Sequence, residues 1–404
     1  MKRILFLSRW FPYPPNNGSK IRIFNLLRCL SENYEIELVS FSENAIDGTP
    51  GILDAICHRI HVVPYKSFNP YGLKALMGLF SRKPRSILDT HSDTLQAYVN
   101  NAVITRKPDL IIASQLDMAP YVMGAHDCPK ILEEIELTLR IDQLIRQDHP
   151  VKKARYALSG WKLSGYLRDL VPGFECCTVA SNQEKEHVKM IVSDYDNVYV
   201  VPNGVALADY DLMYDPPDPT MLIYTGALTY QPNYDAMSYF IRDIFPRILN
   251  ERKDVQLYIT GSLDGVSLDQ LPSNQNVVYT GYLDDIRPLV ARSWLSLAPL
   301  RSGGGTRLKI LESLALRTPV VTTTKGMEGL SLMPGDDILV ADSPGEFASS
   351  VLNLLGDTEL RERLSRNGRR AVEKAYNWST IGLQFNQIIE GVFERSRQSE
   401  ANIP

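Results

Sequence analysis

Short apolar runs, rich in β-branched residues, recur along the whole chain. Each is closed by turn residues and followed by a stretch with helical spacing. The first series predicts strands at residues 3–8, 35–41, 59–64, 109–114, 130–135, 176–181 and 198–201. A second series begins after residue 220 and covers 221–225, 255–260, 277–280, 295–300, 319–324 and 337–341. Several runs do not alternate with polar residues, which is the pattern of strands buried on both faces of a parallel sheet. Strands alternating with helices predict an α/β chain of two doubly wound halves in series. Between them lie Val201-Pro202-Asn203-Gly204-Val205 and Asp215-Pro216-Pro217-Asp218-Pro219, so the boundary belongs there. The expected domains are 1–205 and 206–376, followed by 377–404. In that last segment Trp378, Ile381, Phe385, Ile388, Ile389 and Phe393 recur at helical spacing. This amphipathic helix is expected to pack back on the first domain.

Composition narrows the function. At 404 residues with 43 Lys+Arg against 47 Asp+Glu, the net charge is −4, too weak a field to draw the chain onto nucleic acid. Five cysteines without CxxC spacing, Cys29, Cys57, Cys128, Cys176 and Cys177, predict reduced thiols rather than a disulfide framework or a zinc site. The apolar stretch after Lys2 and Arg3 is too short for a signal peptide, and no run reaches the roughly 18 apolar residues of a membrane span. A cytoplasmic location is expected, with peripheral contact to the inner face of a membrane left open.

The most informative stretch is Arg301-Ser302-Gly303-Gly304-Gly305-Thr306-Arg307-Leu308-Lys309-Ile310-Leu311-Glu312, directly after the run at 295–300. Three glycines leave backbone N–H groups uncovered where a helix begins, and such a terminus attracts anions. Arg307 and Lys309 add full charges. Glu312 lies one turn beyond Lys309, where its carboxylate can accept hydrogen bonds from the two hydroxyls of a ribose. Phosphate and ribose recognition together indicate a nucleotide. The competing reading is a surface loop with a solvated Lys309–Glu312 pair. A second turn, Pro14-Pro15-Asn16-Asn17-Gly18-Ser19-Lys20, follows the first strand. Gly18 would let a ligand approach the backbone and Lys20 and Arg22 would reach a phosphate, or the loop binds nothing. It is not a GxGxxG fingerprint.

The order of elements, the Gly18 loop, the 201–205 linker and residues 303–319 together resemble retaining glycosyltransferases of the GT-B fold, family 4 type, in the branch where Gly-Gly-Gly-Thr-Arg-Leu-Lys precedes Leu-Glu. The resemblance implies two Rossmann-like domains facing each other across a cleft, with the acceptor side in the first and a nucleotide-sugar donor, UDP-linked, in the second. The family's Glu-x7-Glu motif places its ribose-binding glutamate at Glu312 and its other glutamate at Gly304, a departure that leaves the donor sugar open. The family's cations after the first strand of the second domain are absent from Gly226-Ala227-Leu228-Thr229-Tyr230-Gln231-Pro232-Asn233. Arg307 and Lys309 are therefore expected as the catalytic cations that stabilise the departing diphosphate. Gly226, Gly304, Gly305, Thr306 and Leu308 are expected at the donor, with Tyr282 near the base. The resemblance further implies retention without a protein nucleophile, a metal or a cofactor. Asp284-Asp285 and Asp336-Asp337 read as caps or turns, or as a metal clamp.

On the acceptor side, Glu133, Glu134 and Glu136 end a predicted strand, and one of them would orient or deprotonate a hydroxyl, unless they form a solvated acidic turn. Residues 71–85 are apolar with four cations and no acid. They read as a half-buried helix with a basic end, or as a contact with an anionic leaflet carrying a lipid-linked acceptor. The leading expectation is a glycosyltransferase acting on a glycan or glycolipid. A nucleotide-sugar epimerase or hydrolase on the same fold, and a catalytically inactive scaffold, remain as alternatives.

Overall fold

The computed structural model describes residues 1–43, 51–138, 141, 149–305 and 307–401. The chain divides into two compact units, Met1–Asn203 with Ile381–Pro404, and Gly204–Thr380.

In the first unit, β1 (Lys2–Ser8), β2 (Tyr34–Ser42), β3 (Arg59–Pro64), β4 (Leu110–Ser114), β5 (Lys130–Glu133), β6 (Cys176–Val179) and β7 (Val198–Val200) form one sheet in the order β3-β2-β1-β4-β5-β6-β7. Every pairing is parallel. Ile4, Leu5, Phe6 and Leu7 are all buried although they point to alternate faces, because helices cover both sides. Helix α1 (Gly18–Ser31) follows β1, and the Asn17 side chain caps it by accepting from the Lys20 N–H. Helices α2 (Leu73–Met77) and α3 (Pro150–Leu170) belong to the same unit.

The second unit holds β8 (Asp218–Thr225), β9 (Gln256–Thr260), β10 (Val277–Gly281), β11 (Ser293–Ala298), β12 (Val320–Thr322) and β13 (Leu339–Val340), ordered β10-β9-β8-β11-β12-β13 and again parallel throughout. Helix α4 (Gln231–Tyr239) follows β8 and α5 (Leu308–Ala315) follows β11. Helix α6 (Trp378–Ala401) starts in this unit, and from residue 381 it belongs to the first. There Tyr34 Oη donates to Glu390 Oε1 at 2.8 Å.

In each sheet the winding reverses beside the first strand, between β1 and β4 and between β8 and β11. Connections leave those neighbours toward opposite faces, so a crevice opens at their C-terminal ends, the usual ligand position in such sheets.

The predicted strands all form, the one at 59–64 with its predicted bounds and the others with shifted ends. The run at 130–135 stops at Glu133 because Glu134 adopts a left-handed φ of 58°. The run at 295–300 begins at Ser293, which pairs with Asp218, and ends at Ala298. Asp218 and Pro219, read as linker, already belong to β8, where Asp218 Oδ1 accepts from the Thr220 N–H at 2.9 Å. Among the described residues no disulfide joins any of the five cysteines, and burial pushes the thiols of Cys57, Cys128 and Cys176 up to about 12. Among the described residues no helix is long and apolar enough to cross a membrane.

Candidate functional site

The reversal point of the second unit gathers a compact polar cluster. Gly226, the residue after β8, has a φ of 142°, which strains any side chain. A Cβ there would lie 2.8 Å from Lys309 Nζ and 2.8 Å from Asn233 Nδ2. The ammonium is therefore seated directly against the backbone at the end of β8. Lys309 reaches it from the first turn of α5 and donates to Tyr224 Oη at 2.8 Å and Asn233 Oδ1 at 3.0 Å. Tyr224 donates in turn to Asn233 Oδ1 at 2.7 Å, and Asn233 Nδ2 donates to the Ala227 carbonyl at 2.9 Å. The ammonium also lies 4.1 Å from the centre of the Tyr224 ring. Burial, reinforced by the like charge of Arg307, lowers the Lys309 pKa to about 7, while Glu312 partly opposes the shift.

Glu312 stands one turn further along α5, and its Oε1 accepts from Tyr210 Oη at 3.2 Å. Burial raises its carboxyl above the ordinary value, against the opposing influence of Tyr210 and Lys309. Thus Lys309 turns to Tyr224 and Asn233, and Glu312 to Tyr210, instead of forming the simple solvated pair that their spacing allows. Arg307 departs from expectation as well. Its guanidinium donates to the carbonyls of Gly303 at 2.7 Å and Gly304 at 2.8 Å, so it braces the triglycine turn from within. Gly303 and Gly305 hold left-handed φ values of 98° and 78° in that turn. Thr306 lies outside the described residues.

The reversal point of the first unit opens into a cavity of about 390 Å³. Arg9 and Trp10 after β1, Gln115, Leu116 and Asp117 after β4, and Glu134 and Glu136 after β5 line it, with Ser19, Pro84, Ile87 and Leu163 completing the wall. Arg9 is paired with Asp117 and donates to Tyr65 Oη at 2.5 Å. Glu134 accepts from Gln115 Nε2 at 3.1 Å, and its left-handed backbone turns the side chain away from the path of β5. Burial and the neighbouring Glu133 carboxylate raise its pKa to about 7, although Arg22 pulls the other way.

Glu133 lies beneath, fully buried. It accepts from Arg22 Nε at 2.6 Å and Ser114 Oγ at 2.6 Å, while Arg22 Nη1 donates to Asn203 Oδ1 at 2.9 Å. The expectation that Glu133 handles an acceptor and Arg22 a phosphate is corrected by this pairing. Each is the other's counter-ion in the buried interior, as buried charges require.

Residues 219–357 match the family model for glycosyl transferases group 1. That match lies within the second unit and supports a glycosyltransferase enzyme. An uncharacterized 44.6 kDa protein in the cps region of Klebsiella pneumoniae is 18% identical over 93% of this chain and 97% of its own length. A GDP-mannose-dependent monoacylated alpha-(1-6)-phosphatidylinositol monomannoside mannosyltransferase of Corynebacterium glutamicum is 29% identical, over 36% of this chain and 41% of its own length. Among solved structures, Anabaena HepE in complex with UDP and glucose superposes with a TM-score of 0.65 at 15% identity, over 96% of this chain and 100% of that one. The two parallel-sheet units are those of the GT-B fold.

The structure of this glycosyltransferase brings Gly226, Lys309 and Glu312 together with Gly303, Gly304, Gly305 and Leu308 around one end of β8 and β11. Tyr282 stands apart. It follows edge strand β10, two places from β8 in the sheet, and the residue is 71% exposed. Gly18 opens α1, and Glu136 is exposed at the rim of the first-unit cavity. Asp285 is paired with Arg287, and Asp337 accepts from the Met333 N–H. Sequence reasoning missed Tyr224, Asn233 and Tyr210, since apolar-run and turn signals do not announce which strand or helix residue will face a lysine far away in sequence. It also missed Trp10, Gln115 and Asp117, which their positions directly after β1 and β4 would have marked.

Proposed function

We propose that this enzyme binds a nucleotide-sugar at the Gly226–Lys309 cluster and moves the sugar, with retention and without a metal, to a hydroxyl of a glycan or lipid-linked acceptor. The carrying observation is the Lys309 ammonium seated on bare glycine backbone at the reversal point of the second sheet, with Glu312 one turn beyond. Breaking the glycosyl–phosphate bond leaves negative charge on a diphosphate. A fixed cation beside uncovered N–H groups stabilises that charge more in the transition state than in the ground state. Tyr224 and Asn233 hold Lys309 in place, so no reorganisation is needed as charge develops. Arg307 acts as a positioning residue for the triglycine turn, and Glu312 accepts hydrogen bonds from the ribose.

In the first unit, Trp10 and the carboxylates of Asp117, Glu134 and Glu136 suit a hydroxyl-rich acceptor, an apolar ring face combined with several acceptors. Glu134 orients the reacting hydroxyl. By the family resemblance the departing diphosphate takes the proton, so no protein nucleophile enters. HepE, solved with UDP and glucose, supports a UDP-linked donor, whereas the Corynebacterium relative is GDP-mannose-dependent by name.

The test is calorimetry of UDP- and GDP-sugars with and without Mg²⁺, on wild type and on Glu312→Ala, followed by NMR of the product anomer. Metal-independent binding of one nucleotide that weakens in the variant is expected. Absence of any nucleotide binding would favour the inactive scaffold, and donor consumption without acceptor would favour the epimerase or hydrolase.

A further inference from the structure

Two segments of the first unit share a surface that the transfer reaction does not use. Residues 71–88 contain Lys74, Arg82, Lys83 and Arg85 and no acid, and residues 150–168 contain Lys152, Lys153, Arg155, Lys162 and Arg168 and no acid. Apolar side chains stand among these cations. Tyr71 just before α2, Leu73 and Met77 within it and Phe80 after it are exposed, Phe80 at 95%. Over residues 150–161 of α3 only Tyr156 and Gly160 are even partly covered. Val151, Leu158 and Trp161 fall on one stripe of that helix and are all exposed, Trp161 at 68%.

The surface is built rather than frayed. Lys162 Nζ joins the two segments by donating to the Gly78 carbonyl at 3.1 Å and to that of Leu79. Arg85 closes the turn after α2 by donating to the carbonyls of Ala75 at 2.8 Å and Pro70 at 2.5 Å.

We propose that this face docks on an anionic lipid bilayer. Soluble surfaces rarely keep a contiguous apolar patch of this kind. Aromatic and aliphatic tips surrounded by long cations match the boundary between acyl chains and headgroups, where the tips bury and the cations stay with the lipid phosphates. A second copy of the same face is disfavoured, because it would set these cations against one another with no acid between them. Pro84, Ile87 and Leu163 come from the same two segments and line the first-unit cavity. A lipid-carried acceptor would therefore meet the cavity wall from the bilayer. That last step rests on the transfer reading, whereas the docking itself does not.

Co-sedimentation with vesicles tests it, using phosphatidylcholine alone and phosphatidylcholine mixed with phosphatidylglycerol. The full chain is expected to pellet with the anionic vesicles and to be released by salt. Phe80→Ser/Trp161→Ser should lower partitioning by about tenfold or more. Lys152→Gln/Lys153→Gln/Arg155→Gln should lower it by about fivefold per cation and flatten the salt dependence. Circular dichroism and UDP-glucose affinity, read on the second unit, should match the parent in both variants. Equal partitioning of parent and variants overturns the proposal, as does equal binding to the two vesicle types. Self-association abolished by Phe80→Ser/Trp161→Ser, without vesicle binding, would assign the face to a second copy and overturn it too. None of these readouts requires sugar transfer, so failure here and failure of the donor site are separately visible.

Discussion

Donor binding should take up a proton, because Lys309 is poised near neutrality before a ligand arrives. Its pKa of about 7 reflects burial and the adjacent Arg307 charge. A bound diphosphate puts two negative charges against the ammonium, which returns the pKa toward the ordinary value of about 10.4. If the protonated form binds, linkage makes affinity follow the protonated fraction of the free enzyme, about 0.76 at pH 6.5 and about 0.03 at pH 8.5. The Kd of UDP-glucose should therefore rise about 25-fold across that window, while proton uptake climbs from roughly a quarter to nearly one per site. The diphosphate of a sugar nucleotide does not titrate there, so the change belongs to the protein. Calorimetry in two buffers of different ionisation enthalpy reads both quantities. Arg307→Ala removes the like charge and should move the midpoint upward. Lys309→Met should abolish the pH dependence together with most of the affinity. A flat Kd with no proton uptake in the wild type would refute the reasoning. The ligand-free enzyme carries the same signature: with its folded pKa lowered, Lys309 binds fewer protons folded than unfolded between about pH 7 and 10.4, so its contribution to stability rises with pH in that window.

Gly226→Ala should cost about 1–3 kcal/mol through its strained φ and weaken donor binding about tenfold or more by displacing Lys309; a melting curve and calorimetry check both, and native affinity would count against the seating of the ammonium. Arg22→Met leaves Glu133 charged and alone in the interior and should lower stability by about 3–5 kcal/mol in denaturant titration; a loss under about 1 kcal/mol would mean that the pair is not the buried anchor it resembles. Glu134→Gln should raise the acceptor KM and leave nucleotide affinity unchanged, and in wild type the acceptor kcat/KM should rise as pH passes about 7 and Glu134 ionises. Because the folded pKa of Glu134 is raised, its contribution to stability falls as pH climbs from about 4.3 to 7, which a pH series of melting curves reads.

The periodic record of apolar runs was enough for the fold. A parallel sheet covered on both faces demands continuous apolar segments, so each strand from β1 to β13 left its own local trace, and turn residues marked the break between the series. The triglycine turn and the nearby Lys309 and Glu312 were legible for the same local reason, since a helix brings residues three apart to one side. The side-chain partners were not. Lys309 meets Tyr224 and Asn233 from 85 and 76 positions away, and Arg22 meets Glu133 across 111. Such distances are closed by sheet order and register, which no local pattern encodes. Glu133 and Glu134 show the consequence within one dipeptide. Both are glutamates at the end of an apolar run, and sequence treats them alike. The tertiary structure alone decides that Glu133 is locked beneath Arg22 while a left-handed turn delivers Glu134 to the cavity, because burial and counter-charge are properties of what folds around a residue.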